Sequence, residues 1–189
     1  LKEYYGGFYT PGFHIHPGFV RESCEEIERM DQQGVHLIGE LVPYMMGWHS
    51  YACKEAEEIF SLAQEKGMTV NVHPTTNEDL EAFASQYPHL TIIVAHPRDG
   101  ADYEENLCRM ERHDNVFLDL SGTGLFRYGM LRTGLDRVGA ERFLFGTDYP
   151  ICNPGMYVEA VLFEQLTDQE LECVMEKNAK RLITGEFSC

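Results

Sequence analysis

Several short apolar runs in this chain end in side chains that bind metal ions or move protons. VHLIGEL delivers Glu40, TVNVHP delivers His73, TIIVAHP delivers His96 and RFLFGTDYP delivers Asp148. An earlier stretch, GFHIHP, carries His14 and His16, and VFLDLSG carries Asp119 and Ser121. Imidazole and carboxylate groups are ligands for divalent cations and are also the usual general acids and bases. A single histidine at a strand end is more often a hydrogen-bonded structural residue. Two in successive units, with an acid in a third, are expected to form a metal or catalytic site.

These side chains need a scaffold that brings strand ends together. Phe143, Leu144 and Phe145 form an unbroken apolar run, the pattern of a strand covered on both faces, and Gly146 lets the backbone approach a ligand. Strands are expected at 13–16, 35–41, 69–73, 90–96, 116–120 and 143–146. Amphipathic helices are expected at 21–33, 50–66, 77–86, 101–113, 130–138 and 168–182, the last opened by a Thr167/Glu170 capping box. Residues 1–12 read as a loop or incoming connection, and 42–49 as an aromatic, Met-rich loop. Six strands alternating with helices predict an α/β fold with a parallel sheet, whose carboxyl end is where such sheets keep their chemistry.

The 189 residues, 43% hydrophobic and 24% charged, suffice for one domain with a substantial core. A net charge of −16 argues against general affinity for nucleic-acid backbone, so small-molecule partners are expected. Six cysteines lie scattered without CxxC spacing, and no apolar run approaches the length of a membrane span. Free thiols in a cytoplasmic enzyme fit this pattern better than a secreted disulfide scaffold.

In order along the chain, GFHIHP, HLIGEL, VNVHP, IVAHP, FLFGTDYP and the closing EKNAKRLI resemble the amidohydrolase superfamily, near its amidohydrolase-related and TatD-type members. The resemblance covers nearly the whole chain and implies a TIM-type (β/α)8 barrel. The strands present match the third to the eighth, so a truncated barrel is expected, with no counterpart of the first two units. Reading GFHIHP as the family's first-strand H-x-H pair is the alternative, set back by the spacing to GELVP. Six strands cannot close such a barrel, so the first and last strands are expected to expose edges for a preceding segment or another chain.

The resemblance also implies roles. His73, His96, Asp148 and Glu40 would hold one or two divalent ions, zinc by expectation, with Asp148 and His96 catalytic. Arg98, His16, Trp48 and Tyr149 would face substrate. Arg98 is otherwise an ion-pair partner of Asp99 or Asp119, and Trp48, with Tyr44 and Met45, either lines the mouth or buries its own loop. His14, His36, His89 and His113 are expected to be packing or surface residues. The implied activity is metal-dependent hydrolysis of an amide, ester or phosphoester in a small molecule. Two alternatives stand beside it: non-oxidative decarboxylation of an aromatic or unsaturated acid, and a non-catalytic fragment or assembly subunit. A Glu40 among the ligands favours hydrolysis, whereas an Arg98 aimed at the metal favours a carboxylate-bearing substrate.

Overall fold

A computed structural model describes residues 9–98, 100–125 and 127–184. The strands β1 (Gly12–Phe13), β2 (Leu37–Leu41), β3 (Thr69–Val72), β4 (Thr91–Val94), β5 (Val116–Asp119) and β6 (Phe143–Leu144) form one parallel sheet in sequential order. Between them run α1 (Val20–Gln32), a short α2 (Pro43–Met46), α3 (Glu57–Glu65), α4 (Asn77–Gln86), α5 (Ala101–Arg112) and α6 (Met130–Val138). After β6 come α7 (Pro154–Leu162) and α8 (Asp168–Glu172), which continues through wider π-type turns to Thr184.

The helices form where the sequence supplies caps and an apolar stripe. Thr76 accepts a hydrogen bond from the Asp79 amide at the start of α4, and Leu80, Phe83 and Ala84 are its buried face. The expected capping box is present on α8, with Thr167 and Glu170 bonded reciprocally. Two helices lie outside the expected set. Pro43 opens α2 inside the predicted loop, and Asn153 with Pro154 opens α7; both use proline in the first turn, where its missing N–H costs nothing. The predicted helix over 50–66 forms only from Glu57, because Ser50, Tyr51 and Ala52 are tied by hydrogen bonds to the Asp79 carboxylate. Strand β1 also stops early, at Phe13, leaving His14 and His16 in the connection that follows.

Alternation along the strands gives the sheet two different faces. Ile38, Val70, Val72, Ile92, Val94 and Leu118 belong to the main core with Ile59, Phe60, Phe83 and Leu107 of the helices. Phe60 and Phe83 meet edge to face at 4.7 Å, and each buried phenylalanine contributes roughly 1.5–3 kcal/mol. The opposite face carries a smaller cluster of Ile93, Phe117 and Leu144, on which Ala179, Leu182 and Ile183 pack. The Thr69 hydroxyl on β3 donates to the Leu182 carbonyl. Such a face is the interior of a barrel, so the C-terminal turns occupy part of that interior.

The expectation of an exposed edge at the last strand is corrected by the same segment. The Phe145 N–H donates to the Val174 carbonyl at 2.9 Å, and the Asn178 amide donates to the carbonyls of Phe143 at 2.7 Å and Ala140 at 2.8 Å. Backbone groups that would seek a neighbouring strand are therefore satisfied within the chain. Among the described residues, strand β1 pairs only with β2 and forms the other edge. Residues 1–8 of the predicted incoming connection, Asp99 and Cys189 lie outside the described residues.

Candidate metal centre

Consecutive parallel strands place Glu40, His73 and His96 side by side. Each projects from the carboxyl end of its strand, and their ligand atoms lie within 4.8 Å of one another; among the described residues this is the group with that property. Glu40 Oε1 is 2.9 Å from His73 Nδ1 and 3.5 Å from His96 Nε2, and the two imidazole centroids are 4.9 Å apart. One carboxylate with two imidazoles is a donor set for zinc, manganese or iron, so the residues present fit a divalent cation.

The surroundings fix each ligand. The Nδ1 of His96 faces the Ser121 carbonyl at 3.1 Å, which makes Nδ1–H the donor and leaves Nε2 toward Glu40. Gly122 permits this, since at φ +64° a Cβ there would overlap the His96 ring. Burial opposes charge on His96, but the Glu40 hydrogen bond and charge, the Ser121 carbonyl and Asp119 outweigh it and raise its pKa. Burial likewise opposes the Glu40 carboxylate, yet His73 and His96 hold its pKa down at about 2. A divalent cation held here would stand where the proton between His96 and Glu40 stands.

Asp148 does not enter the three-residue cluster; it lines a cavity of about 260 Å³ that the cluster reaches through Glu40, together with Asn71, Asp119, Ser121 and Ile183. Asp148, His96 and Arg98 are three of the four described non-glycine residues with positive φ, at 56°, 67° and 58°. Left-handed backbone costs about 1–3 kcal/mol per residue, and strained residues of this kind gather at functional sites, where His96 is one of the three clustered ligands. A larger hollow, about 650 Å³ between α1 and α3, is lined by Arg21, Glu25 and Glu28 and is remote from this cluster in sequence and in its lining residues.

The other expected residues distribute unevenly. Arg98 turns to Asp102, Nε to Oδ2 at 2.9 Å, and is not brought to the ligands; Asp102 rather than Asp119 is its partner among the described residues, and Asp99 lies outside them. His16 uses both ring nitrogens locally, Nδ1 accepting from Gly18 N–H and Nε2 donating to the Met46 carbonyl. Trp48 is buried edge-on against Tyr51 at 5.2 Å, the loop-burying alternative of its two readings. Tyr149 is 75% exposed. Tyr44, also exposed, stands edge-on to His73 at 5.5 Å.

Sequence reasoning placed Asp119 among the strand-end chemical side chains without giving it a role in the site, and it passed over Asn71. Burial pushes the Asp119 carboxyl up to about 6 even though the Ser121 N–H bonds it at 2.8 Å, and the Asn71 side-chain oxygen is buried without a partner. The period-2 pattern was the available signal, since Asn71 and Asp119 occupy inward positions of β3 and β5. Gly146 makes room for Asp119, whose carboxylate a Cβ at that position would strike.

Comparison with known proteins defines the class. A family model described as amidohydrolase matches residues 2–184, and the chain belongs to this amidohydrolase family. No match was found among curated proteins. Among solved structures, an uncharacterised TIM-barrel protein from Bordetella bronchiseptica is similar at 18% identity and TM-score 0.74, covering 96% of this chain and 68% of that one. A 2,6-dihydroxybenzoate decarboxylase from Rhizobium matches at 16% identity and TM-score 0.68, covering 89% and 69%. A 5-carboxyvanillate decarboxylase from Novosphingobium aromaticivorans, complexed with manganese, matches at 15% identity and TM-score 0.66, covering 89% and 62%. The fold is therefore a TIM-type barrel, truncated, with six of its strands present.

Proposed function

We propose that this chain is a metal-dependent hydrolase acting on an amide, ester or phosphoester bond of a small molecule. The observation that carries the proposal is the convergence of Glu40, His73 and His96 on one point, with Glu40 sharing a cavity wall with Asp148, while Arg98 is held by Asp102. Glu40, His73 and His96 would hold the ion, with Asp148 adding an oxygen ligand or serving as base. Zinc suits this donor set, and the manganese of a distant relative makes that ion the second candidate. When bound, a divalent cation supplies Lewis acidity toward a carbonyl or phosphoryl oxygen and makes water a usable nucleophile near neutral pH.

The chain's own groups do the rest. A carboxylate oxygen of Asp148 accepts the proton of the attacking water and returns it to the leaving group. His96, oriented by Ser121, would present Nε2 to the ion. Exposed Tyr44 and Tyr149 offer apolar surface to a substrate at the mouth. Further strands, from a preceding segment or a second copy, would complete the sheet at β1. The described cysteines, Cys24, Cys53, Cys108, Cys152 and Cys173, are free thiols, which supports a cytoplasmic setting. No helix among the described residues is long and apolar enough to cross a membrane.

Decarboxylation is the second reading, favoured by the names of the similar barrels. Metal analysis with paired assays separates the two. Release of nitroaniline or nitrophenol from amides, esters and phosphodiesters by the zinc- or manganese-loaded chain is expected, and it should disappear in His73→Ala. Carbon dioxide release from hydroxybenzoates without any hydrolysis would replace the proposal by the second reading. Neither activity, with no bound metal, would favour a non-catalytic subunit.

A further inference from the structure

The Tyr51 ring is fully buried against Trp48 and Phe83, each 5.2 Å away, which by itself describes an ordinary core residue. Its hydroxyl is placed less ordinarily, 2.9 Å from the Leu41 carbonyl and 2.9 Å from the His73 carbonyl. One proton is thus shared between two strand ends: Leu41 directly follows Glu40, and His73 is itself in the cluster. Burial pushes the phenol pKa up, so the hydroxyl stays a donor to both. The same junction is crossed by the His73 N–H, which donates to the Leu41 carbonyl at 2.8 Å.

A second residue sets where Tyr51 stands. Asp79, in the first turn of α4, accepts from the Ser50 hydroxyl, the Tyr51 N–H at 3.0 Å, the Ala52 N–H at 3.2 Å and the Thr75 hydroxyl at 2.6 Å. Two of these donors are the backbone around Tyr51, and a third lies two residues after His73. Asp79 therefore ties the segment before α3 to the loop after β3, and both lead to the ligands.

We infer that Tyr51 is a positioning residue for the metal centre, its hydroxyl holding the ends of β2 and β3 in register so that Glu40 and His73 meet one ion, with Asp79 fixing Tyr51 in place. The inference rests on reading Glu40, His73 and His96 as a metal site. Outer partners of ligands commonly change metal affinity by about 10- to 100-fold when removed.

The test compares Tyr51→Phe, Asp79→Asn and a control, Tyr103→Phe, with the unaltered chain. Tyr103 is a buried tyrosine whose hydroxyl donates to the Met130 carbonyl, away from the cluster. Two readouts are taken. One is Co²⁺ affinity with its visible absorption spectrum; the other, in metal-free protein, is the imidazole nitrogen resonance of His73, which reports its bond to Glu40. Tyr51→Phe is expected to weaken Co²⁺ binding about tenfold, to alter the spectrum and to shift or broaden the His73 signal, with Tyr103→Phe unchanged in all three. Asp79→Asn should act in the same direction, and it decides the matter if Tyr51→Phe does not fold. A Tyr51→Phe chain with the native Co²⁺ spectrum, affinity and His73 signal would overturn the inference, as would equal effects from Tyr103→Phe. If the unaltered chain takes up no Co²⁺, the metal reading fails, and the His73 signal alone decides whether Tyr51 positions it.

Discussion

The Nδ1 of His96 lies 3.1 Å from the Ser121 carbonyl, so a histidine at the end of β4 takes its tautomer from the backbone at the end of β5. The Ser121 N–H is in turn held by Asp119 at 2.8 Å. Ser121, held by Asp119, thus sets which nitrogen of His96 faces Glu40. This arrangement leaves no room for a side chain at residue 122.

Gly122→Ala should therefore damage the site from outside the ligand set. The alanine adopts left-handed backbone with strain, and its methyl collides with His96. We expect a loss of about 1–3 kcal/mol in stability, read from urea denaturation, together with loss of Co²⁺ binding measured by titration. Undiminished Co²⁺ affinity would mean that the orientation of His96 is immaterial to the site.

Removing a ligand is expected to act on the ion far more than on the fold. Glu40→Gln keeps shape but not charge, and it should lower divalent-metal affinity by at least about tenfold, the lower end seen for mere supporting residues. Metal per chain after gel filtration, by elemental analysis, is the measurement. The unaltered chain should retain metal through the column, and chelation followed by addition of Zn²⁺ or Mn²⁺ should restore it. Full retention by Glu40→Gln would remove Glu40 from the ligand set.

Much of this site was legible because parallel strands write it in a simple code. An apolar run followed by a chemical side chain picked out Glu40, His73 and His96, which the fold brings together, and the βα spacing located the sheet; Asp148, picked by the same pattern, lies outside that group. Arg98 was not legible in the same way. Its neighbour His96 and Arg98 itself both take left-handed backbone, which redirects the guanidinium to Asp102. The capping of β6 was hidden for another reason, since it depends on Asn178, 35 residues from the carbonyl it bonds. Sequence periodicity carries no information about a pairing of that range.

That capping makes a separate prediction. Asn178 is 2% exposed and its amide serves two carbonyls. Asn178→Leu fills the space without donors and leaves both acceptors buried. The Ala140 carbonyl still accepts the Phe143 N–H, so one acceptor, that of Phe143, is left unsatisfied at about 1–3 kcal/mol, and a loss near 2 kcal/mol in urea denaturation is the expected outcome. Hydrogen exchange at Phe145, which donates to Val174, should accelerate. Native exchange at Phe145 with unchanged stability would show that the C-terminal turns do not guard this edge.

Acid stability should report a second electrostatic cluster, on the outer helices. Glu81 of α4 accepts from Arg112 at 2.7 Å and faces His113 Nε2 at 2.8 Å, and Arg112 before all else holds its carboxyl down at about 2. The folded pKa is below the ordinary value of 4.5, so the stabilisation is present above pH 4.5 and disappears as pH falls toward 2. The side chain is 34% exposed, and screening by solvent reduces the contribution to about 1 kcal/mol. Other carboxylates, Glu40 included, titrate in the same window. The informative quantity is therefore the difference between the unaltered chain and Glu81→Gln. That difference in urea stability should be about 1 kcal/mol at pH 7 and shrink toward zero as pH falls through about 2, because a protonated Glu81 and a glutamine present Arg112 with similarly neutral partners. A difference that stays constant between those pH values would assign the effect of Glu81 to packing against α5 rather than to its charge.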